Sequence, residues 1–167
     1  MEAIFTRRSI RKYQDKKIEK EKIEKLLKAA MQAPSAWNQQ PWEFLVIEDE
    51  ETLKKLAGAS PYAKMVPQAA AAIILLCNLE YTKTSPDYWA QGMSAATENL
   101  LLEAVELGLG AVWLGVYPNE DRMEYITELF QLPEDILPFT VIPLGYPEEE
   151  NMFVDRFDEK RIHYEVW

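Results

Sequence analysis

The stretch Ala33-Pro34-Ser35-Ala36-Trp37-Asn38-Gln39-Gln40-Pro41-Trp42 decides how this chain is read. It joins an amphipathic segment, Glu19–Gln32, that reads as a helix to an apolar segment, Glu43–Ile47, that reads as a strand. A bare connector needs only a turn at such a junction. This one carries two prolines, two tryptophans and four side chains that hydrogen-bond in several directions: Ser35, Asn38, Gln39 and Gln40. Each proline fixes its own φ and restricts the residue before it, so Pro34 and Pro41 stiffen the two ends. A rigid loop offering amides and flat rings suits a planar ligand with polar edges. A helix stop followed by core tryptophans accounts for the same residues about as well.

Upstream, Glu2–Arg7 reads as a short helix leading into Arg7-Arg8-Ser9-Ile10-Arg11-Lys12-Tyr13. Three arginines and a hydroxyl within five residues can converge on one anion through charge-assisted, often bidentate bonds. An exposed basic turn is the plainer explanation. The charge distribution sharpens the question. The chain carries a formal net charge of −10, yet residues 1–30 hold ten Lys/Arg against five Asp/Glu. Lysines and glutamates at helical spacing account for Lys16–Lys28 as a solvated face, with Ile18, Ile23, Leu26, Leu27, Ala30 and Met31 turned inward. The arginines have no such explanation.

Downstream, Glu50–Gly58 reads as a helix stopped by glycine, and Tyr62–Met65 as a short helical or irregular piece before Pro67. Ala69–Cys77 is continuously apolar, as a fully buried central strand would be. Tyr81–Asp87 reads as a loop. Tyr88–Leu107 is a long helix with small or apolar residues around most of its girth, which calls for an interface as well as a core and points to a homodimer. Ala111–Tyr117 reads as a strand, Asn119–Phe130 as an N-capped helix and Phe139–Leu144 as a fourth strand. The polar tail Glu148–Trp167 ends in Ile162-His163-Tyr164-Glu165-Val166-Trp167, a strand-like alternation suited to docking on a partner subunit. Strands alternating with helices make the class α+β or α/β, and 167 residues make one domain, 1–167.

Several function classes fall away. The acidic balance argues against nucleic acid and anionic membrane as partners. No apolar run is long enough to span a bilayer and the N-terminus lacks a signal-peptide core, so a cytoplasmic location is expected. The single Cys77, inside an apolar run, and the single His163 exclude disulfide, multi-cysteine and His-rich metal sites. Cys77 is expected to be a buried, inert thiol, and His163 a packed tail residue. Neither a Gly-x-Gly-x-x-Gly between strand and helix nor a Gly-x-Ser-x-Gly occurs, which removes support for a Rossmann site or an acyl-transfer hydrolase.

Four motifs taken in order carry a resemblance along essentially the whole chain. Arg7-Arg8-Ser9-Ile10-Arg11-x-Tyr13, Ala33–Trp42, Gly108-Leu109-Gly110-Ala111-Val112-Trp113-Leu114-Gly115 and Ile142-Pro143-Leu144-Gly145-Tyr146-Pro147 together resemble the nitroreductase-like FMN-dependent oxidoreductases. The resemblance implies an α+β fold with a central, mostly antiparallel sheet flanked by helices. It also implies a homodimer holding FMN at the subunit interface, with a domain-swapped C-terminal segment. Residue by residue, Arg7, Arg8 and Ser9 resemble contacts to the FMN phosphate and ribityl chain. Arg11 resembles the cation beside flavin N1 and O2, an electrostatic tuner that stabilises negative charge on the reduced ring. Pro34, Ser35, Ala36 and Asn38, with help from Gln40, resemble the segment that lines the ring from the other subunit. Leu114 and Gly115 resemble the backbone near N5 and O4, and Lys160 or, by preference, Arg161 a C-terminal cation on the phosphate. Trp37 and Trp113 either wall the site or pack the core.

The activity implied by the resemblance is hydride transfer from NADH or NADPH to an oxidised small-molecule acceptor, a nitroaromatic or quinone. The cycle would be ping-pong and needs no catalytic side chain. A specialised flavin enzyme of the reductive dehalogenase type and a non-catalytic flavin-binding protein are the alternatives. The chain is short for the family and lacks insertions that would cover the flavin.

Overall fold

A computed structural model describes residues 2–149 and 152–167; Met1, Glu150 and Asn151 lie outside the described residues, so the tail reading from Glu148 is tested only in part. Helices α1 (Ala3–Thr6), α2 (Lys20–Ala30), α3 (Glu50–Leu56), α4 (Trp89–Glu106) and α5 (Glu120–Phe130) accompany strands β1 (Trp42–Ile47), β2 (Ala71–Asn78), β3 (Gly110–Ala111), β4 (Leu114–Gly115) and β5 (Ile136–Gly145). The sheet runs β1-β2-β5-β3, with β4 also on β5, and all its strand pairs are antiparallel. This is the α+β sheet expected from the sequence.

The run at Ala71–Cys77 is apolar throughout because β2 lies between β1 and β5 and is covered on both faces. Its side chains alternate. Ile73, Leu75 and Cys77 enter a core built with α2 and α4, through residues such as Leu26, Met93 and Leu100. Ala72, Ile74 and Leu76 enter a second core with Leu53 and Leu56 of α3 and Ile126 of α5. Burial pushes the Cys77 thiol up to about 12, so it stays protonated and inert, as expected. Asn119 caps α5, its side chain accepting from the Arg122 N–H at 3.0 Å, and Asp49 caps α3 in the same way through Thr52.

Two expectations need correction. The strand at Ala111–Tyr117 is two short pieces. Gly110, Ala111, Leu114 and Gly115 pair with Gly145, Leu144, Val141 and Thr140 in one continuous register, so the break falls opposite Ile142 and Pro143. Pro143 has no N–H to give to that side of the ladder, and the pairing lapses there. The strand expected at Phe139 begins earlier, at Ile136, and contains Pro138 as well. A register shift against Leu75/Leu76 leaves Phe139 as the extra residue, and its carbonyl accepts from both Val116 N at 3.3 Å and Tyr117 N at 3.0 Å. Among the described residues the tail forms no strand within the chain, and the expected docking on a partner subunit requires a second copy. Residues 152–167 are irregular apart from a 3₁₀ turn at Glu159–Arg161, and all are exposed. Smaller differences are that α3 stops at Leu56 and continues as a 3₁₀ turn, Ala57–Ala59, and that a further 3₁₀ turn, Val66–Gln68, includes Pro67.

Candidate functional site

The N-terminal arm is tied to the broken edge of the sheet. Ser9 forms a parallel bridge with Ala111, Ile10 N donates to Ala111 O at 2.9 Å, and a Cβ at Gly110 would strike the Ile10 side chain at 2.6 Å. Gly110 is thus required by the close approach of the arm. Tyr13 anchors its far end, donating to Ile10 O at 2.8 Å, while its ring lies where a Cβ on Gly145 would be. The Arg-Arg-Ser-Ile-Arg run is thereby held against β3 and β4.

The three arginines take different partners. Arg7 Nε lies 3.4 Å from Glu98 Oε1 of α4. Arg8 donates to the carbonyls of Arg7 and Phe5, at 2.5 and 3.1 Å, capping the end of α1. Among the described residues Arg11 Nη1 reaches only the carbonyl of Ser9, at 3.3 Å, and the residue is exposed. Arg7 and Arg8 line a cleft of about 310 Å³ with Ile4, Phe5 and the tail residues Phe153–Phe157. The tail cation in that cleft is Arg156. Arg161 instead pairs with Asp158 at 3.1 Å, and neither Lys160 nor Arg161 lines it.

Arg11, Leu114 and Gly115 meet in a second cleft, of about 610 Å³, together with Trp113, Ser60, Tyr62, Lys64 and Arg122. Thr140 Oγ1, fully buried, donates to Leu114 O at 2.8 Å, and Arg122 Nη1 donates to Gly115 O at 2.8 Å, so this backbone is fixed from both sides. A Cβ on Gly115 would meet nothing within 4 Å, which leaves the backbone open toward the cleft. Trp113 lines the cleft and also packs edge-on against Phe139, centroids 5.8 Å apart, so it does both things the sequence allowed.

Lys64, Tyr62 and Arg122 carry no motif that singles them out for this cleft. Arg122 had a weaker signal: it is a cation in the first turn of α5, where the helix dipole favours anions.

The loop at Ala33–Trp42 is more constrained than its prolines alone require. Trp37, Asn38 and Gln40 have φ of 53°, 53° and 46°, a left-handed conformation costing roughly 1–2 kcal/mol each for ordinary residues and less for asparagine. Local bonds offset this. Ser35 Oγ accepts from Gln40 N at 2.9 Å, Gln40 Nε2 donates to Asn38 Oδ1 at 3.0 Å, and Asn38 N donates to Ser35 O at 2.9 Å. Gln39 Nε2 reaches Ser85 O at 3.3 Å, while Gln39 Oε1 is buried without a partner among the described residues. The result projects Trp37 into solvent, 80% exposed, whereas Trp42 is buried in the core. Within one chain Pro34, Ser35, Ala36, Asn38 and Gln40 line neither of the clefts that hold the arginines.

An antiparallel sheet with helices on both faces, a basic N-terminal arm bridged to its broken edge and a cleft at that edge define a small α+β domain. Comparison with known proteins makes this specific. The model of the Nitroreductase family matches residues 4–61 and 60–146. The chain is 52% identical to a protein of Archaeoglobus fulgidus named "Putative NADH dehydrogenase/NAD(P)H nitroreductase", covering 100% of this chain and 98% of that one. It is similar to the crystal structure of a "Putative NADH Oxidase" from Clostridium acetobutylicum, with TM-score 0.96, 57% identity and 99% of each chain covered. The FMN-dependent nitroreductase of Clostridium difficile R20291 matches with TM-score 0.90, 32% identity and full coverage of both chains. The chain belongs to the nitroreductase family and is an oxidoreductase enzyme of it.

Proposed function

We propose that the chain is an FMN-dependent oxidoreductase that uses NADH or NADPH to reduce a small oxidised acceptor, a nitroaromatic or quinone, as a homodimer. The observation that carries this is the meeting of Arg11 with the fixed, open backbone of Leu114 and Gly115 in the larger cleft. The residues present fit the cofactor. Arg7 and Arg8 offer guanidinium donors for a phosphate dianion, Ser9 adds a hydroxyl next to them in the chain though outside the lining of their cleft, and a flat ring meets no side chain at Gly115. When bound, FMN supplies hydride acceptance from the nicotinamide and hydride donation to the acceptor, in alternate halves of a ping-pong cycle.

The chain's own residues bind, orient and shield. Arg11 keeps a fixed positive charge in the cleft, which favours anionic charge there. Leu114 and Gly115 present backbone held in place by Thr140 and Arg122. Two features support a homodimer that completes the site. The loop at Pro34–Gln40 is locked in a strained shape yet lines neither arginine cleft of its own chain. The tail leaves Phe157, Tyr164, Val166 and Trp167 exposed. Both are explained if a second copy receives the tail and each loop covers the partner's cleft, with Lys160 or Arg161 reaching the partner's phosphate site.

Anaerobic stopped-flow reduction of the purified protein tests the reading. Flavin absorbance should bleach with NADH or NADPH and return on adding a nitroaromatic. Bound flavin that neither nucleotide reduces would overturn it.

A further inference from the structure

The larger cleft is a cationic site on an acidic protein. The chain carries 28 Asp/Glu against 18 Lys/Arg, yet Arg11, Lys64 and Arg122 line this cleft and no carboxylate among the described residues does. None of the three forms a salt bridge among the described residues, although Lys12, Lys22, Lys28, Lys54 and Lys83 all do. Arg122 is the informative member. Its place in the first turn of α5, beside Glu120 and Asp121, is electrostatically unfavourable to a cation with respect to the helix dipole. The side chain nevertheless donates Nη1 to Gly115 O at 2.8 Å, and its other side-chain N–H groups make no hydrogen bond among the described residues. Its guanidinium carbon lies 5.7 Å from the centre of the Tyr62 ring, which is largely exposed and offers a flat wall.

We infer that Arg122 is a specificity-determining anion anchor: it selects ring-bearing substrates that carry a carboxylate or phosphate beside the reacting ring. The inference rests on the proposed function, because it places the reacting ring in this cleft. The anion has two possible sources of one chemistry, a carboxylate on the acceptor or the diphosphate of the nicotinamide nucleotide. Arg11 is assigned to the cofactor, so the anchor for the second molecule falls to Arg122. A guanidinium already held by one backbone bond loses little freedom when it binds an anion.

The test uses the flavin-loaded enzyme, Arg122→Gln and Arg122→Lys. Benzoate, a non-reducible probe, is titrated by calorimetry into the oxidised protein. Selectivity is the kcat/KM ratio of 4-nitrobenzoate to 4-nitrotoluene, and the KM for NADH is measured separately. A single charge-assisted contact predicts a change of about tenfold in Arg122→Gln. Weaker benzoate binding with a reduced nitrobenzoate preference, partly restored in Arg122→Lys, identifies the acceptor carboxylate. A raised KM for NADH without those changes identifies the nucleotide. If none of these moves, or if 4-nitrotoluene loses as much as 4-nitrobenzoate with benzoate binding intact, the inference is overturned. A yellow, reducible enzyme with no anion preference sinks this inference alone, whereas protein that binds no flavin sinks the proposed function beneath it.

Discussion

Arg7 Nε lies 3.4 Å from Glu98 Oε1, so the first arginine of the N-terminal arm is engaged by a carboxylate of α4. Glu98 occupies the position of an anion next to the proposed phosphate site, and it competes with the phosphate for Arg7. Exposed pairs of this kind are worth up to about 1 kcal/mol. Glu98→Gln should therefore tighten FMN binding by about two- to fivefold, read from flavin fluorescence quenching during titration of the deflavinated protein. Unchanged or weaker binding would remove Arg7 from the phosphate site.

Gly92 lets α4 touch the proline-bounded loop. A Cβ there would lie 3.2 Å from Ser35 Cβ and 3.6 Å from Pro34 O. Alanine at 92 gains about 1 kcal/mol of helix propensity, which this contact offsets, so Gly92→Ala should be close to neutral in urea unfolding. Gly92→Val adds methyl groups against Ser35 and should destabilise by about 1–3 kcal/mol while loosening flavin retention. A valine variant as stable as wild type would show that the loop is not seated on α4.

Tyr146 joins the N-terminal segment to the end of β5. Its hydroxyl donates to Glu19 Oε2 at 2.5 Å and accepts from Lys22 Nζ at 3.0 Å, and Lys16 Nζ lies 3.7 Å from the ring centre. The Tyr146 hydrogen bond, chiefly, holds the Glu19 carboxyl below its ordinary value of 4.5. A carboxyl lowered in the folded state contributes stability that is present above the unfolded value and is lost as pH falls through the folded one. Tyr146→Phe should flatten the fall in stability between about pH 5 and pH 3, measured by urea unfolding across that range. An unaltered pH profile would contradict this linkage.

The exposed tail carries the proposed assembly. Trp167 is 98% exposed and Phe157 74%, an unusual load of aromatic surface for residues left in water. Deleting residues 157–167 should convert a dimer to a monomer and release FMN. Light scattering with absorbance detection checks both, and a full-length chain that is monomeric at micromolar concentration would contradict the reading.

Much of this fold was legible because burial and periodicity act locally. The unbroken apolar run at β2 could belong only to a strand covered on both faces, and Asn119 announced α5 by the N-cap bond it makes. The errors came from long-range partners. Nothing within Ala111–Tyr117 reveals that Pro143 will lie across from Val112 and interrupt the ladder, and Pro138 masked the true start of β5. The arginines, Leu114 and Gly115 were visible as motifs. Lys64 and Tyr62 were not, because the cleft assembles from segments some fifty residues apart and no spacing rule joins them. The tail's alternation pairs with no strand among the described residues.

The most direct test of the account is titration of FMN into deflavinated wild-type protein and into the Arg7→Ala/Ser9→Ala double variant. Wild type should take up one FMN per chain and turn yellow, and the double variant should lose its flavin on dialysis. A wild-type chain indifferent to FMN, or a double variant that retains it as tightly, would contradict the claim that the N-terminal arginines grip the cofactor.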